Sequence, residues 1–272
     1  MTENTVSIDN FDIDTAMRIV VLTLEGVFDT GLATVLDAFA TANELARVAG
    51  IDVPAFEVAV VGMRPQVRSG LGLQVPVCSV ADVASPNWVI VPAISAKMPD
   101  VLVPALGRED VVDALPALRT WSAGGARMAA ACIGTFVLAE SGLLDGHDAT
   151  TTWWLTPLFS QRYPQVRLDA HRIIVPSGTM LTAGAALSHI DMALALIRQT
   201  SAEFDTLPPQ TVVQRLQGLT APGNPWLGSA GELVAMAYLD SGRRAIRQQG
   251  DVFVMGEETR DRPALLSEVA GR

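Results

Sequence analysis

The 272-residue sequence predicts an α/β domain with a doubly wound, mostly parallel sheet flanked by helices, followed by a helical C-terminal extension. Three observations carry this. Short apolar runs rich in Val, Ile and Ala lack polar alternation, as strands buried on both faces require. Longer stretches with apolar residues at helical spacing lie between them, so strand and helix alternate along the chain. Beyond Thr200 the pattern changes, and prolines and glycines break it repeatedly.

In chain order, Met17 to Thr23 is the first strand. Gly31 to Val48 follows as a helix, with Leu32, Val35, Leu36, Phe39, Ala42 and Leu45 on its apolar stripe. Phe56 to Val61 and Trp88 to Val91 are the next strands, and Glu109 to Ser122 is a helix through Val111, Val112, Leu115, Leu118 and Trp121. Arg127 to Ala131 is a further buried strand. Arg172 to Val175 and Thr179 to Thr182 flank Pro176-Ser177-Gly178, which reads as a hairpin at a mixed sheet edge. A long buried helix is expected over Gly184 to Gln199, and two more helical patterns, Thr211 to Leu219 and Ala230 to Gln248, in the extension. The domain reading is therefore a disordered tail over 1–15, an α/β domain over 16–199, and an extension over 200–272 without a recognisable helix-turn-helix.

Composition narrows the function classes. Hydrophobic residues make up 49% and charged residues 18%, which describes a well-buried globular chain. A formal charge of -10 gives no footprint for phosphate neutralisation and disfavours direct nucleic-acid binding. The basic cluster Arg243-Arg244-Ala245-Ile246-Arg247 reads as a solvated face. Cys78 and Cys132 are too few for a disulfide framework, Cys78 falling in a loop-like stretch. Met1 to Asp14 has no leader pattern and no apolar run approaches the length of a membrane span, so a cytoplasmic protein without membrane contact is expected. His147, His171 and His189 lack metal-ligand spacing, and neither metal nor cofactor is expected. His189, close to Asp191 on the long helix, reads as half of a structural pair.

The most informative segment is Ala130-Ala131-Cys132-Ile133-Gly134, at the end of a small, apolar strand and the start of the helix-like Thr135 to Glu140. A nucleophile between small residues at a strand-to-helix junction is the pattern of an elbow, where the turn exposes the side chain and the amide of Ile133 can face an anion. The alternative is a small buried hydrophobe, since free cysteine is among the most buried residue types.

The segment Ala131 to Gly146, followed by Ala149-Thr150-Thr151-Thr152-Trp153, resembles the central block of the ThiJ/PfpI superfamily, class I glutamine amidotransferase-like proteins of flavodoxin-like fold. More narrowly it resembles isonitrile hydratases and the sensor half of GlxA-type AraC regulators. Leu181 to Ala186 with Ile190 to Leu194 matches a later helix of that branch, and Phe39-Ala40-Thr41-Ala42-Asn43 its first; the likeness spans about Met17 to Gln199.

What the resemblance implies for the site departs from the family at several positions. Catalytic members place a histidine where this chain has Thr152, and an acid where counting back from Asn43 reaches Gly31. Isonitrile hydratases follow the cysteine with threonine, here Ile133. Relatives often show Pro-Gly-Gly and use a backbone amide for an oxyanion hole where this chain has Pro92-Ala93-Ile94. Without a basic or acidic neighbour the thiol loses proton transfer worth roughly 10² to 10⁴ in rate. Glu25 and Asp29, in the first strand-to-helix loop, are the carboxylates that could reach it, although a solvated loop position is the simpler reading. Trp153, with Trp154, either walls a ligand pocket or anchors the next helix.

Two function classes follow. The first is a ligand- or redox-sensing regulatory module with a degenerate thiol pocket formed by Cys132, Ile133, Glu25, Asp29, Gly31, Ala93, Ile94, Thr152 and Trp153. It would bind a small molecule and act as a homodimer. The second is a cysteine-dependent isonitrile hydratase-like lyase or hydrolase with Cys132 as nucleophile.

Overall fold

The computed structural model describes residues 16–50, 54–83, 85–185, 187–200, 245–248 and 251–254. The elements run β1 (Met17–Leu22), α1 (Asp29–Ala49), β2 (Phe56–Gly62), β3 (Gln66–Arg68), β4 (Gln74–Pro76), β5 (Cys78–Ser79), β6 (Trp88–Val91), α2 (Pro99–Leu106), α3 (Glu109–Ala123), β7 (Arg127–Ala131) and α4 (Gly134–Glu140). They continue with β8 (Asp148–Ala149), α5 (Thr156–Arg162), β9 (Arg167–Leu168), β10 (Ile174–Ser177), β11 (Met180–Ala183), α6 (His189–Thr200), β12 (Ala245–Gln248) and β13 (Asp251–Val254).

A seven-stranded sheet in the order β10-β11-β7-β6-β1-β2-β5 organises the α/β domain. Every pairing is parallel except β10 with β11. The central strands bury both faces because alternate side chains enter two cores. Ile19, Val21, Ile90, Ala129 and Ala131 face one core with Leu32, Val35 and Phe39 of α1 and Met192 and Leu196 of α6. Val20, Leu22, Val89, Val91, Met128 and Ala130 face the other, against Leu102, Val111, Leu118 and Phe136 from α2, α3 and α4. This is the expected doubly wound, mostly parallel architecture.

Local chemistry fixes the ends of the first helix. The side chain of Asn43 donates to the Phe56 carbonyl at 2.9 Å and accepts from the Phe56 amide at 2.8 Å, clamping α1 to the start of β2. Gly50 then closes α1 in the left-handed region at φ 62°, where a side chain is disfavoured. Asp110, in the first turn of α3, accepts from the Glu25 amide at 2.8 Å and pairs with Arg108, which itself donates to the Glu25 carbonyl at 2.7 Å. The loop between β1 and α1 is thereby tied to α3.

Several elements differ from the sequence expectation. α1 begins at Asp29 and not Gly31, and α6 at His189 and not Gly184. Gly184 is held in the preceding loop, where a Cβ would lie 2.4 Å from Thr150 Oγ1. Cys78, read as loop, pairs beside Val61 as the edge strand β5. The short β3–β4 hairpin and α2 have no counterpart in the expected elements; Pro99 and Pro104 sit in α2, which hides its helical pattern. In the extension, β12 and β13 pair antiparallel, so Ala245–Gln248 is strand where helix was expected through Gln248. The β-branched and aromatic residues Ile246, Val252, Phe253 and Val254 suit that pairing better than a helix. The expected tail over 1–15 and the helix over Thr211 to Leu219 lie outside the described residues.

The elbow rests on one close approach. A Cβ on Gly134 would lie 2.2 Å from the Val91 carbonyl and 2.8 Å from the Pro92 carbonyl, both backbone and unable to yield. Gly134→Ala is expected to destabilise the domain by about 3 kcal/mol or more through overpacking. Gly107→Ala, whose Cβ meets its nearest atom at 3.5 Å, is the control and should change stability little. Thermal denaturation of the two variants checks the difference.

Candidate functional site

Cys132 sits immediately after β7 and adopts φ 55°, the only positive φ outside glycine among the described residues. Such a conformation costs a non-glycine residue on the order of 1 to 2 kcal/mol and persists only where its surroundings enforce it. They do so here from both neighbours. The Cys132 amide donates to the Ala183 carbonyl at the end of β11 at 2.7 Å, and Thr151 Oγ1 donates to the Cys132 carbonyl at 2.8 Å. The small run Ala129-Ala130-Ala131 lets helices approach both faces of β7, and α4 starts two residues later.

The thiol is 4% exposed. Burial pushes its pKa up; the Ile133 amide, the Thr152 hydroxyl and the charge of Lys97 act in the opposite direction without overcoming it. Thr152 is fully buried, and its hydroxyl stands near enough to the sulfur to favour the thiolate, yet has no partner at hydrogen-bonding geometry. Lys97 lies in the loop after β6, its ammonium 5.4 Å from the centre of the Phe28 ring, while its carbonyl accepts from Trp154 Nε1 at 2.8 Å. No carboxylate is among the groups acting on the sulfur.

The expected pocket residues separate into two groups. Ile133, Thr152, Ala93 and Ile94 are buried at the elbow or the adjacent turn after β6. Glu25 and Asp29 are committed to the hairpin region, Glu25 accepting from the Arg68 amide at 3.0 Å and Asp29 from the Leu71 amide at 3.0 Å. Trp153 is 73% exposed and packs edge-on against Trp154, which anchors the loop after β6.

Gly31 faces an unexpected neighbour. His189, the first residue of α6, is 1% exposed, and its Nε2 accepts from the Ala93 amide at 3.2 Å. A Cβ on Gly31 would lie 2.6 Å from that nitrogen. Asp191 is exposed, so the anticipated pairing gives way to an imidazole turned into the domain, as residues two apart on a helix do not face each other. Gly31 and His189 also line a cavity of about 200 Å³ with Thr30, Thr34, Leu187 and Ile190. Sequence reasoning missed Lys97 and gave His189 a different partner, because neither lies in the elbow motif.

Among the described residues no helix is long and apolar enough to cross a membrane, and no group of three or more His, Cys, Asp or Glu residues converges as a metal site would.

No protein-family profile matches the chain. It is 31% identical over 148 residues to an uncharacterized protein in the cpoL 5′ region of Streptomyces lividans, covering 54% of this chain and 95% of that protein. It is 32% identical over 122 residues to the HTH-type transcriptional regulator CdhR of Pseudomonas aeruginosa, covering 43% of this chain and 34% of the regulator. The chain thus spans about a third of that regulator's length. Among solved structures, an AraC family transcriptional regulator from Pseudomonas putida superposes with a TM-score of 0.56 at 19% identity, over 68% of this chain and 92% of that one. Drosophila melanogaster DJ-1beta superposes with a TM-score of 0.54 at 21% identity, over 76% and 98%. A two-domain protein with DJ-1/ThiJ/PfpI-like and ferritin-like domains from Anabaena variabilis gives 0.51 at 18% identity, over 67% and 47%. These likenesses show a shared flavodoxin-like α/β fold.

The raised thiol pKa has a consequence for stability. A thiol that stays protonated in the folded state contributes stability that is fully present below its unfolded pKa, near ~8.5, and is lost as pH rises through the higher folded value. The stability difference between the protein and Cys132→Ala should therefore shrink as pH rises above about 8.5. Urea denaturation across pH 7 to 10 measures it, and a pH-independent difference would contradict the assignment.

Proposed function

We propose that this chain is a member of the ThiJ/PfpI superfamily and that its 16–199 domain is a small-molecule-sensing regulatory module and not a hydrolase or hydratase. The observation that carries this reading is the surround of Cys132. In this reading the backbone turn of an elbow is kept, but burial raises the thiol pKa, and the positions where the resemblance implies an acid and a histidine hold Gly31 and Thr152. Nucleophilic attack needs a thiolate and a proton acceptor. The Ile133 amide and Thr152 hydroxyl serve a different end, presenting donors to a bound ligand. Redox sensing is a weaker form of the same reading, because a buried, protonated thiol reacts slowly with oxidants.

The regulatory half of the reading draws on the sequence relatives that are HTH-type transcriptional regulators. In such a protein the α/β domain would bind the effector, and pairing of two copies would carry the response onward. The 200–272 segment would support that pairing or join a partner rather than grip DNA, given the net charge of -10. The setting is cytoplasmic in this reading.

The protein incubated with an alkyl isonitrile, or with amide and ester substrates, should form no more product than Cys132→Ser does. A panel of carboxylic acids, amines and amides should contain at least one compound that raises the melting temperature, with the shift reduced in Thr152→Val. Turnover that disappears in Cys132→Ser would establish the lyase or hydrolase reading instead.

A further inference from the structure

The family resemblance counts an acid onto position 31, and in this chain the space beside Gly31 is already filled by His189. The His189 ring places Nε2, Cδ2 and Cε1 at 2.6, 2.7 and 2.9 Å from where a Gly31 Cβ would be. Any side chain at 31 and this imidazole exclude each other, since real Cβ contacts do not reach such distances. The ring is fixed by more than sterics. Its Nε2 accepts from the Ala93 amide at 3.2 Å, which requires that nitrogen to be unprotonated, and its face tilts against Phe28 at a centroid distance of 5.9 Å. Ala93 follows Pro92, whose carbonyl lies 2.8 Å from where a Cβ on Gly134, two residues after Cys132, would stand. The imidazole therefore seals the turn that flanks the elbow on the β6 side.

We propose that His189 is the positioning residue of the thiol pocket, its imidazole taking the place of a side chain at position 31 and holding the Ala93 turn closed beside Cys132. The proposal rests on the reading of the pocket as a binding site. It explains two departures from the family together: glycine at 31 makes room for the ring, and the ring occupies an amide that a reacting carbonyl would otherwise be able to use. Because His189 also lines the cavity of about 200 Å³, truncating it joins that cavity to the Ala93 turn and gives water a route toward the thiol.

The test is iodoacetamide alkylation of Cys132 at pH 7, in a Cys78→Ser background because Cys78 is exposed. Gly31→Ala, which pushes the ring off Ala93, and His189→Ala should each raise the rate about threefold or more by exposing the thiol to solvent. The double variant should add nothing further, since both changes break one contact. His189→Gln keeps an acceptor near the Ala93 amide and should stay close to the parent rate. If His189→Ala fails to fold, Gly31→Ala and His189→Gln decide the matter. Unchanged alkylation in Gly31→Ala, or a double variant whose effect is the product of the two singles, would overturn the proposal. Turnover by the parent protein would overturn the sensing reading while leaving this contact standing.

Discussion

The left-handed turn at Cys132 is the constraint around which the site is built. A non-glycine residue at φ 55° persists because β11 takes its amide, Thr151 takes its carbonyl, and Gly134 passes under the Val91 and Pro92 carbonyls with no room for a methyl group. Those contacts reach across β6, β7 and β11, so the strain is held by the sheet rather than by the loop. The alanines of β7 serve the same end, allowing α4 to descend directly from the turn. The Ile133 amide reaches the sulfur as a result of this descent.

What the turn presents is decided by a balance of two effects. Removing the thiol from water disfavours the thiolate, while one amide, one hydroxyl and one lysine charge favour it. Burial outweighs them, and no carboxylate acts on the sulfur: Glu25 and Asp29 each satisfy a backbone amide in the 66–76 region. His189 closes the remaining flank through Ala93. The sulfur thus meets hydrogen-bond donors and one cation, and no proton acceptor is among the groups acting on it.

Much of this was legible in the sequence because buried parallel strands write themselves as uninterrupted apolar runs, and β1, β6 and β7 were bounded to within a residue. The strand-to-helix junction at Cys132 was equally plain, since it is local. Elements whose stability comes from distant contacts were harder to read. Gly184 is packed so closely on Thr150 that it stays in the loop before α6, and the β3–β4 hairpin offers only one valine per three-residue strand as an apolar signal. His189 was read as half of a pair with Asp191 and not as a neighbour of Gly31 and Ala93. Its role exists only through contacts with Gly31 and Ala93, which no spacing along the chain encodes. Gly31 itself could have pointed to it, because a glycine where the resemblance implies an acid asks what fills the space.

The pH dependence of Cys132 alkylation in a Cys78→Ser background tests the central claim most directly. A retained elbow without its proton-exchanging partners predicts a midpoint at or above the free-thiol value of about 8.5. A midpoint well below 7 would show an activated thiolate and contradict the account.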